Sequence, residues 1–142
     1  MNAATVRALG VPLALVVAAA VVDLRKGEIP DTVPILLLVW AVVATAFGWS
    51  GIGWVAALAG LVLGFAFGAL LFRLAALGGG DVKLVAALGA VLGYRSLIYV
   101  LVYVALAGAV LAVIAGLRGR REFAYGPAIA LGFTAFMLLG GR

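Results

Sequence analysis

The chain has 142 residues, of which 68% are hydrophobic and 11% are charged, whereas about half of a soluble domain is apolar and about a quarter is charged. This composition excludes an ordinary soluble fold and indicates a chain solvated by lipid. The absence of cysteine and histidine excludes disulfides, thiolate nucleophiles, His-containing zinc sites and serine–histidine hydrolases. The basic residues behind the formal net charge of +5 are scattered at the ends of apolar runs, so no nucleic-acid partner is expected.

Uncharged runs predict the membrane spans, at residues 8–22, 32–72, 84–94, 96–117 and 123–141. No small-residue cleavage site follows the first run, which is therefore predicted to be a retained helix and not a signal peptide. The run 32–72 is long enough for two spans of about 20 residues. The segment GWSGIG (48–53) is the predicted turn between those two spans. The run 84–94 is short for a span and can cross only together with its flanks.

Loop charge favours a crossing by the run 84–94. If six segments cross and the N-terminus lies outside, most basic residues fall on the cytoplasmic side, as the positive-inside rule requires. Without that crossing, the basic cluster RGRREF (118–123) would face outward. The sequence therefore predicts an all-α bundle of six transmembrane helices that forms one domain over residues 1–142. The cytoplasmic basic residues would be Arg25, Lys26, Arg73, Lys83, Arg118, Arg120 and Arg121, against Arg7, Arg95 and Arg142 outside.

This topology places every acidic residue on the cytoplasmic side, and the five are Asp23, Glu28, Asp31, Asp81 and Glu122. Asp23 closes the first predicted helix and Asp81 opens the fourth, so the two can meet at one membrane depth if those helices are neighbours. Close packing is available, because small residues recur every fourth position at Gly60, Gly64 and Gly68. An ionisable pair at the membrane edge is expected to have a function.

Two adjacent aspartates are the equipment of an aspartic protease, because they cannot easily both ionise. The anionic one accepts a proton from water, and the neutral one protonates the carbonyl oxygen of the scissile amide. The helix dipole favours the anion at Asp81 and the acid at Asp23, but the sequence does not fix which aspartate is the acid and which the base. The three glycines before Asp81 either allow close approach of an extended peptide or simply join two helices.

Three segments resemble the type IV prepilin peptidases, which are Gly-x-Gly-Asp intramembrane aspartyl proteases. GGGDVKL (78–84) is similar to their signature, DLRKGEIPD (23–31) to their first-aspartate segment, and YGPAIALG (125–132) to a third stretch that opens the last helix. The resemblance implies an aspartic endopeptidase with Asp23 and Asp81 as catalytic residues. Its implied substrate is a prepilin-like protein whose short basic leader ends in Gly and precedes a hydrophobic helix.

The resemblance also implies a multi-pass protein of the cytoplasmic membrane of a prokaryote, with the active site facing the cytoplasm. Substrate-binding roles are expected for Gly78, Gly80, Lys83, Gly126 and Pro127. An alternative interpretation of Lys83 is a membrane anchor. For Gly126 and Pro127 the alternative is that they simply start the last helix. Neither a metal nor another cofactor is expected, and the oligomeric state stays open.

Two departures from the family pattern qualify the resemblance. Asp31 stands where the family usually has Asn, and nothing corresponds to the cytoplasmic segment linked to N-methylation. The chain is therefore expected to be the short form associated with tight-adherence (Flp-type) pili or with archaeal pilin-like substrates. The competing interpretation is a proton-coupled membrane carrier or a non-enzymatic subunit of a membrane complex. A carrier is expected to place its acids near the middle of the membrane.

Overall fold

The computed structural model describes residues 3–74, 77–119 and 125–140, and within these ranges all the regular structure is helical. The predicted all-α class is confirmed. The helices are α1 (Ala3–Lys26), α2 (Thr32–Ala46), α3 (Trp54–Arg73), α4 (Gly79–Leu117) and α5 (Gly126–Ala135), followed by a π-helical turn at Phe136–Gly140.

Glycines and prolines set the helix ends. Helix α1 stops at Gly27, whose φ of 71° lies in the left-handed region and whose N–H donates a 2.7 Å hydrogen bond to the Asp23 carbonyl, a common way to close a helix. Pro34 lies in the first turn of α2, where a missing N–H is tolerated. The predicted turn at 48–53 separates α2 from α3, and Gly48 and Gly51 there have positive φ.

Helix α4 is folded back on itself at Gly93, where φ is 73° and ψ is 164°. A methyl group placed on Gly89 would lie 3.1 Å from Leu97 Cδ2, although eight residues span about 12 Å along a straight helix. The chain therefore forms two arms, residues 79–92 and 94–117. They correspond to the predicted runs 84–94 and 96–117, with the break at Gly93 instead of Arg95.

The first arm of α4, residues 79–92, is the centre of the bundle. Every residue from Leu84 to Gly93 is buried, which explains why this segment is apolar all round. Helix α3 packs antiparallel to the arm through its glycines, because Gly60 contacts Gly89, Gly64 contacts Val85 and Gly68 contacts Val82. The predicted small-residue packing face is confirmed.

Among the residues that the structure describes, two helices, α3 and α4, are long and apolar enough to cross a bilayer, with mean hydropathy of 2.4 and 2.7 over their most apolar stretches. Helix α2 and the segment Gly126–Leu139 are shorter apolar helices. Large apolar side chains such as Val55, Leu117 and Leu138 are exposed on the outside of the bundle, as expected for a surface in contact with lipid. Six crossings and an outer N-terminus stay predictions.

Candidate active site

Asp23 and Asp81 line one cavity at the end of the bundle where α1 ends and α4 begins. The cavity has a volume of about 230 Å³, and the two aspartates are only 6% and 7% exposed. The two side chains therefore lie at one end of the bundle and line the same cavity, and direct contact between the two carboxylates stays a prediction. The other lining residues are Gly27, Glu28, Ile29, Gly78, Gly79 and Gly80.

Asp23 lies in the last turns of α1 and is held by the start of α5. Its Oδ2 accepts a 2.8 Å hydrogen bond from the backbone N–H of Gly126. Asp23 thus lies at the C-terminus of α1 and faces the N-terminus of α5. The dipole of α1 disfavours a negative charge on Asp23 and the dipole of α5 favours it, so the two effects oppose each other. The argument from α1 alone, which made Asp23 the acid, therefore does not assign the roles of the pair.

Asp81 is the third residue of α4 and caps its own helix. Its Oδ2 accepts a 3.2 Å hydrogen bond from the N–H of Gly78, the reciprocal half of a capping box. Its Oδ1 is buried without a hydrogen-bond partner. Buried oxygens without a partner are uncommon in folded proteins, which makes Oδ1 of Asp81 a candidate for a functional contact.

Two backbone segments form the facing walls of the cavity. Gly27 turns the chain after α1 and leads Ile29 toward the glycine run, and a methyl group on Gly80 would lie 3.0 Å from the Ile29 carbonyl oxygen. A methyl group on Gly79 would meet nothing within 4 Å. Close approach of the walls therefore requires glycine at position 80 and does not require it at position 79.

The remaining residues expected to bind substrate are near the cavity but outside its lining. Lys83 Nζ makes a 2.6 Å ion pair with Asp31 Oδ1, and both side chains are more than half exposed. Gly126 and Pro127 form the first turn of α5 behind Asp23. A methyl group on Gly126 would lie 2.6 Å from Asp23 Oδ2, so the contact of Gly126 is with the aspartate itself.

Sequence reasoning missed three residues of the cavity wall, Gly27, Glu28 and Ile29, because it assigned only the two aspartates and the glycine run to the site. Glu28 follows Gly27, whose left-handed backbone turns the loop toward the glycine run. The spacing of charged and apolar residues does not predict which way the chain turns here. The sequence signal for the turn was the glycine directly after the basic end of a helix, because glycine there commonly closes the helix in the left-handed conformation. Glu122 lies outside the described residues.

Comparison with known proteins places this geometry in a family. Residues 11–113 match the type IV leader peptidase family. The prepilin leader peptidase/N-methyltransferase of Burkholderia pseudomallei (strain 1026b) is 33% identical over 98% of this chain and 48% of its own length. The protein of the same name from Bacillus subtilis (strain 168) is 32% identical over 90% of this chain and 54% of its own length. The chain therefore spans about half the length of these curated relatives, and no solved structure matches it significantly.

The family match covers both aspartates, the glycine run and the cavity walls that they share. It extends over most of the chain and does not depend on the short signature at 78–84 alone. The chain belongs to the type IV leader peptidase family.

Proposed function

We propose that this chain is an intramembrane aspartic endopeptidase that removes a short basic leader from prepilin-like proteins, with Asp23 and Asp81 as its catalytic residues. The observation that carries the proposal is the burial of both carboxylates in the wall of one cavity. Membership of the type IV leader peptidase family and the names of the curated relatives support the same activity.

The proposed chemistry needs only the two carboxylates and a water molecule. One carboxylate accepts a proton as the water oxygen attacks the amide carbon, and the protonated partner donates its proton to the carbonyl oxygen. Collapse of the tetrahedral intermediate breaks the C–N bond: the departing amine takes the proton that the first carboxylate received from water, and a hydroxyl of the intermediate returns a proton to the second carboxylate. The unpartnered Oδ1 of Asp81 supports a direct role for that side chain at the water.

The glycine run fits the form of substrate that such a mechanism requires. A helical peptide must be opened before its amide is reached, and an extended strand needs room beside the carboxylates. Gly78, Gly79 and Gly80 line the cavity without side chains. We propose that the main chain of the substrate lies along this wall, and that Gly78 and Gly80 contact it.

The charge distribution supports a cavity that faces the cytoplasm. The basic residues Arg25 and Lys26 end α1, Arg73 ends α3 and Arg118 follows α4, all at the same end of the bundle as the cavity. Cytoplasmic loops carry such an excess of basic residues. We therefore propose that the protein crosses the cytoplasmic membrane six times with its N-terminus outside. The described acids cluster at this end and not at mid-membrane, which favours a peptidase over a carrier.

Cleavage of a purified substrate tests the proposal. The full chain in detergent is incubated with a Flp-type prepilin, and the new N-terminus is determined by mass spectrometry. We expect one cut, directly after the glycine that ends the leader. An intact prepilin after prolonged incubation with a folded chain would overturn the proposed function.

A further inference from the structure

A second cavity, of about 320 Å³, opens on the side of the bundle between α3, α5 and the two arms of α4. We call it the lateral groove. Its floor contains the buried residue Val85, while its outer edge contains the exposed residues Ala105 and Ala109. Apolar side chains and backbone dominate the lining, which includes Phe67, Leu77, Val85, Ala105, Gly108 and Ala109.

The lateral groove adjoins the cavity that holds the aspartates. Leu77 lines the groove and the next residue, Gly78, lines the aspartate cavity. Val85 lies about one helical turn after Asp81. The polar cavity with two carboxylates and the apolar groove are therefore lined by consecutive residues at 77–78 and by positions one turn apart at the start of α4.

The opposite wall of the lateral groove is also adjacent in sequence to a residue that contacts an aspartate. Tyr125 lines it and immediately precedes Gly126, whose N–H holds Asp23. Each of the two chain segments that position an aspartate thus also contributes to the groove. A molecule bound in the groove would lie directly beside the catalytic pair.

We infer that the lateral groove binds the apolar helix of the substrate, on the C-terminal side of the scissile bond. This inference rests on the proposed function, in which a polar leader and an apolar helix flank the cut. The order of the two cavities matches that order of polarity. A substrate with its leader at the aspartates and its helix in the groove would present the bond between them to Asp23 and Asp81.

The shape of the lateral groove suits a helix that packs from outside. Ala105, Ala109 and Ala112 are small, exposed and on one face of the second arm of α4, which lets another helix approach closely. A core cavity of about 150 Å³ holds one benzene molecule, so 320 Å³ accommodates roughly two large apolar side chains. The groove therefore receives side chains of the substrate helix, while the backbone of the substrate helix stays at the surface of the bundle.

Disulfide crosslinking tests the inference, because the chain contains no cysteine. Ala109→Cys is compared with Val110→Cys, an exposed neighbour on the same arm that does not line the lateral groove. Both are made with Asp81→Asn, so that the substrate stays intact. The probe is a designed membrane peptide with a basic leader that ends in Gly, an apolar helix of about 20 residues and single cysteines along that helix.

We expect Ala109→Cys to give adducts at probe positions three or four residues apart, in at least about tenfold greater yield than Val110→Cys, since a disulfide needs close approach of both cysteines. Equal yields from the two positions would overturn the inference. So would the absence of adducts from Ala109→Cys, which is the result expected if lipid fills the groove.

An activity measurement separates this inference from the proposed function. In the otherwise unchanged chain, Ala109→Phe should raise the KM for the designed peptide about tenfold or more, because it removes an apolar subsite, and Val110→Phe should leave KM unchanged. Failure of the unsubstituted chain to cleave the peptide would count against the proposed function. Cleavage with equal KM for both variants would overturn the role of the groove alone.

Discussion

The backbone N–H of Gly126 donates a 2.8 Å hydrogen bond to Asp23 Oδ2, which joins residues 103 positions apart in the sequence. This bond connects the end of α1 to the start of α5 and fixes the orientation of one of the two buried carboxylates. No side chain intervenes, since the contact is made by the main chain of a glycine. The last helix of the bundle thus positions a residue of the first.

The first prediction concerns that contact. A methyl group in Gly126→Ala would lie 2.6 Å from Asp23 Oδ2 and 2.9 Å from its Cβ, so the carboxylate must move. Because a misplacement of about 1 Å can reduce a catalytic rate about 100-fold, we expect a loss of that order in the initial rate of prepilin cleavage. Gly116→Ala is the control, because a methyl group there meets nothing within 4 Å. Equal rates for the two variants would contradict the assigned role of Gly126.

The second prediction concerns the carboxylates themselves. Asp23→Asn and Asp81→Asn keep the size of each side chain and remove its proton transfer, so each should abolish cleavage of a co-expressed prepilin. The matched control is Asp31→Asn, which alters an exposed carboxylate paired with Lys83 at the same end of the bundle. It should process substrate at nearly the unsubstituted rate. Immunoblots of membrane fractions check that all three variants insert equally, and substantial processing by either dyad variant would exclude the aspartic mechanism.

Much of the fold follows from the sequence because charge and length limit where helices can lie. Uncharged runs predicted the helices, and the glycine repeat at 60–68 predicted a close-packing face without naming its partner. The positions of Asp23 and Asp81 at helix ends predicted that both lie at one membrane depth. These features depend on local composition, which a sequence displays directly. The class of the fold and the two candidate catalytic residues were therefore accessible without coordinates.

The details of the site depend on contacts between distant segments. The ion pair of Lys83 with Asp31 joins residues 52 positions apart, and the sequence offered nearer basic partners for Asp31. The fold in α4 occurs at Gly93, although the charge of Arg95 marked the boundary between the two runs. In each case the geometry is set by how helices pack, which local patterns do not encode.

The third prediction concerns the path of the chain through the membrane. Because α4 folds back at Gly93, Arg95 lies at the opposite end of the bundle from Lys26 and Arg118. Single cysteines at these exposed positions should react with an impermeant maleimide from outside at position 95, and only after permeabilisation at positions 26 and 118. Processing activity verifies that each variant is folded. Labelling of position 118 from outside intact cells would contradict the hairpin of α4 across the membrane.

The last prediction concerns the spacing of the cavity walls. In Gly80→Ala the new methyl group would lie 3.0 Å from the Ile29 carbonyl oxygen and 3.1 Å from its Cβ, so the two walls must separate by a few tenths of an ångström. Gly79→Ala is the control, since its methyl group meets nothing within 4 Å. Both positions are in the first turn of α4, where replacing glycine by alanine favours the helix by up to about 1 kcal/mol.

A loss of helix stability therefore cannot explain a loss of activity in either variant. We expect Gly80→Ala to reduce the initial rate of prepilin cleavage at least about tenfold, equivalent to about 1.4 kcal/mol of activation free energy, and Gly79→Ala, which leaves the spacing of the walls unchanged, to reduce it less. Thermal unfolding in detergent should give Gly79→Ala a Tm at or above that of the unsubstituted chain, and should show a cooperative transition for Gly80→Ala, which confirms that it is folded. Gly64→Ala is unsuitable as a control, because its methyl group would lie 2.7 Å from the Val85 carbonyl oxygen and disturb helix packing. Similar rates for the variants at positions 79 and 80 would mean that the separation of Gly80 from Ile29 does not limit catalysis.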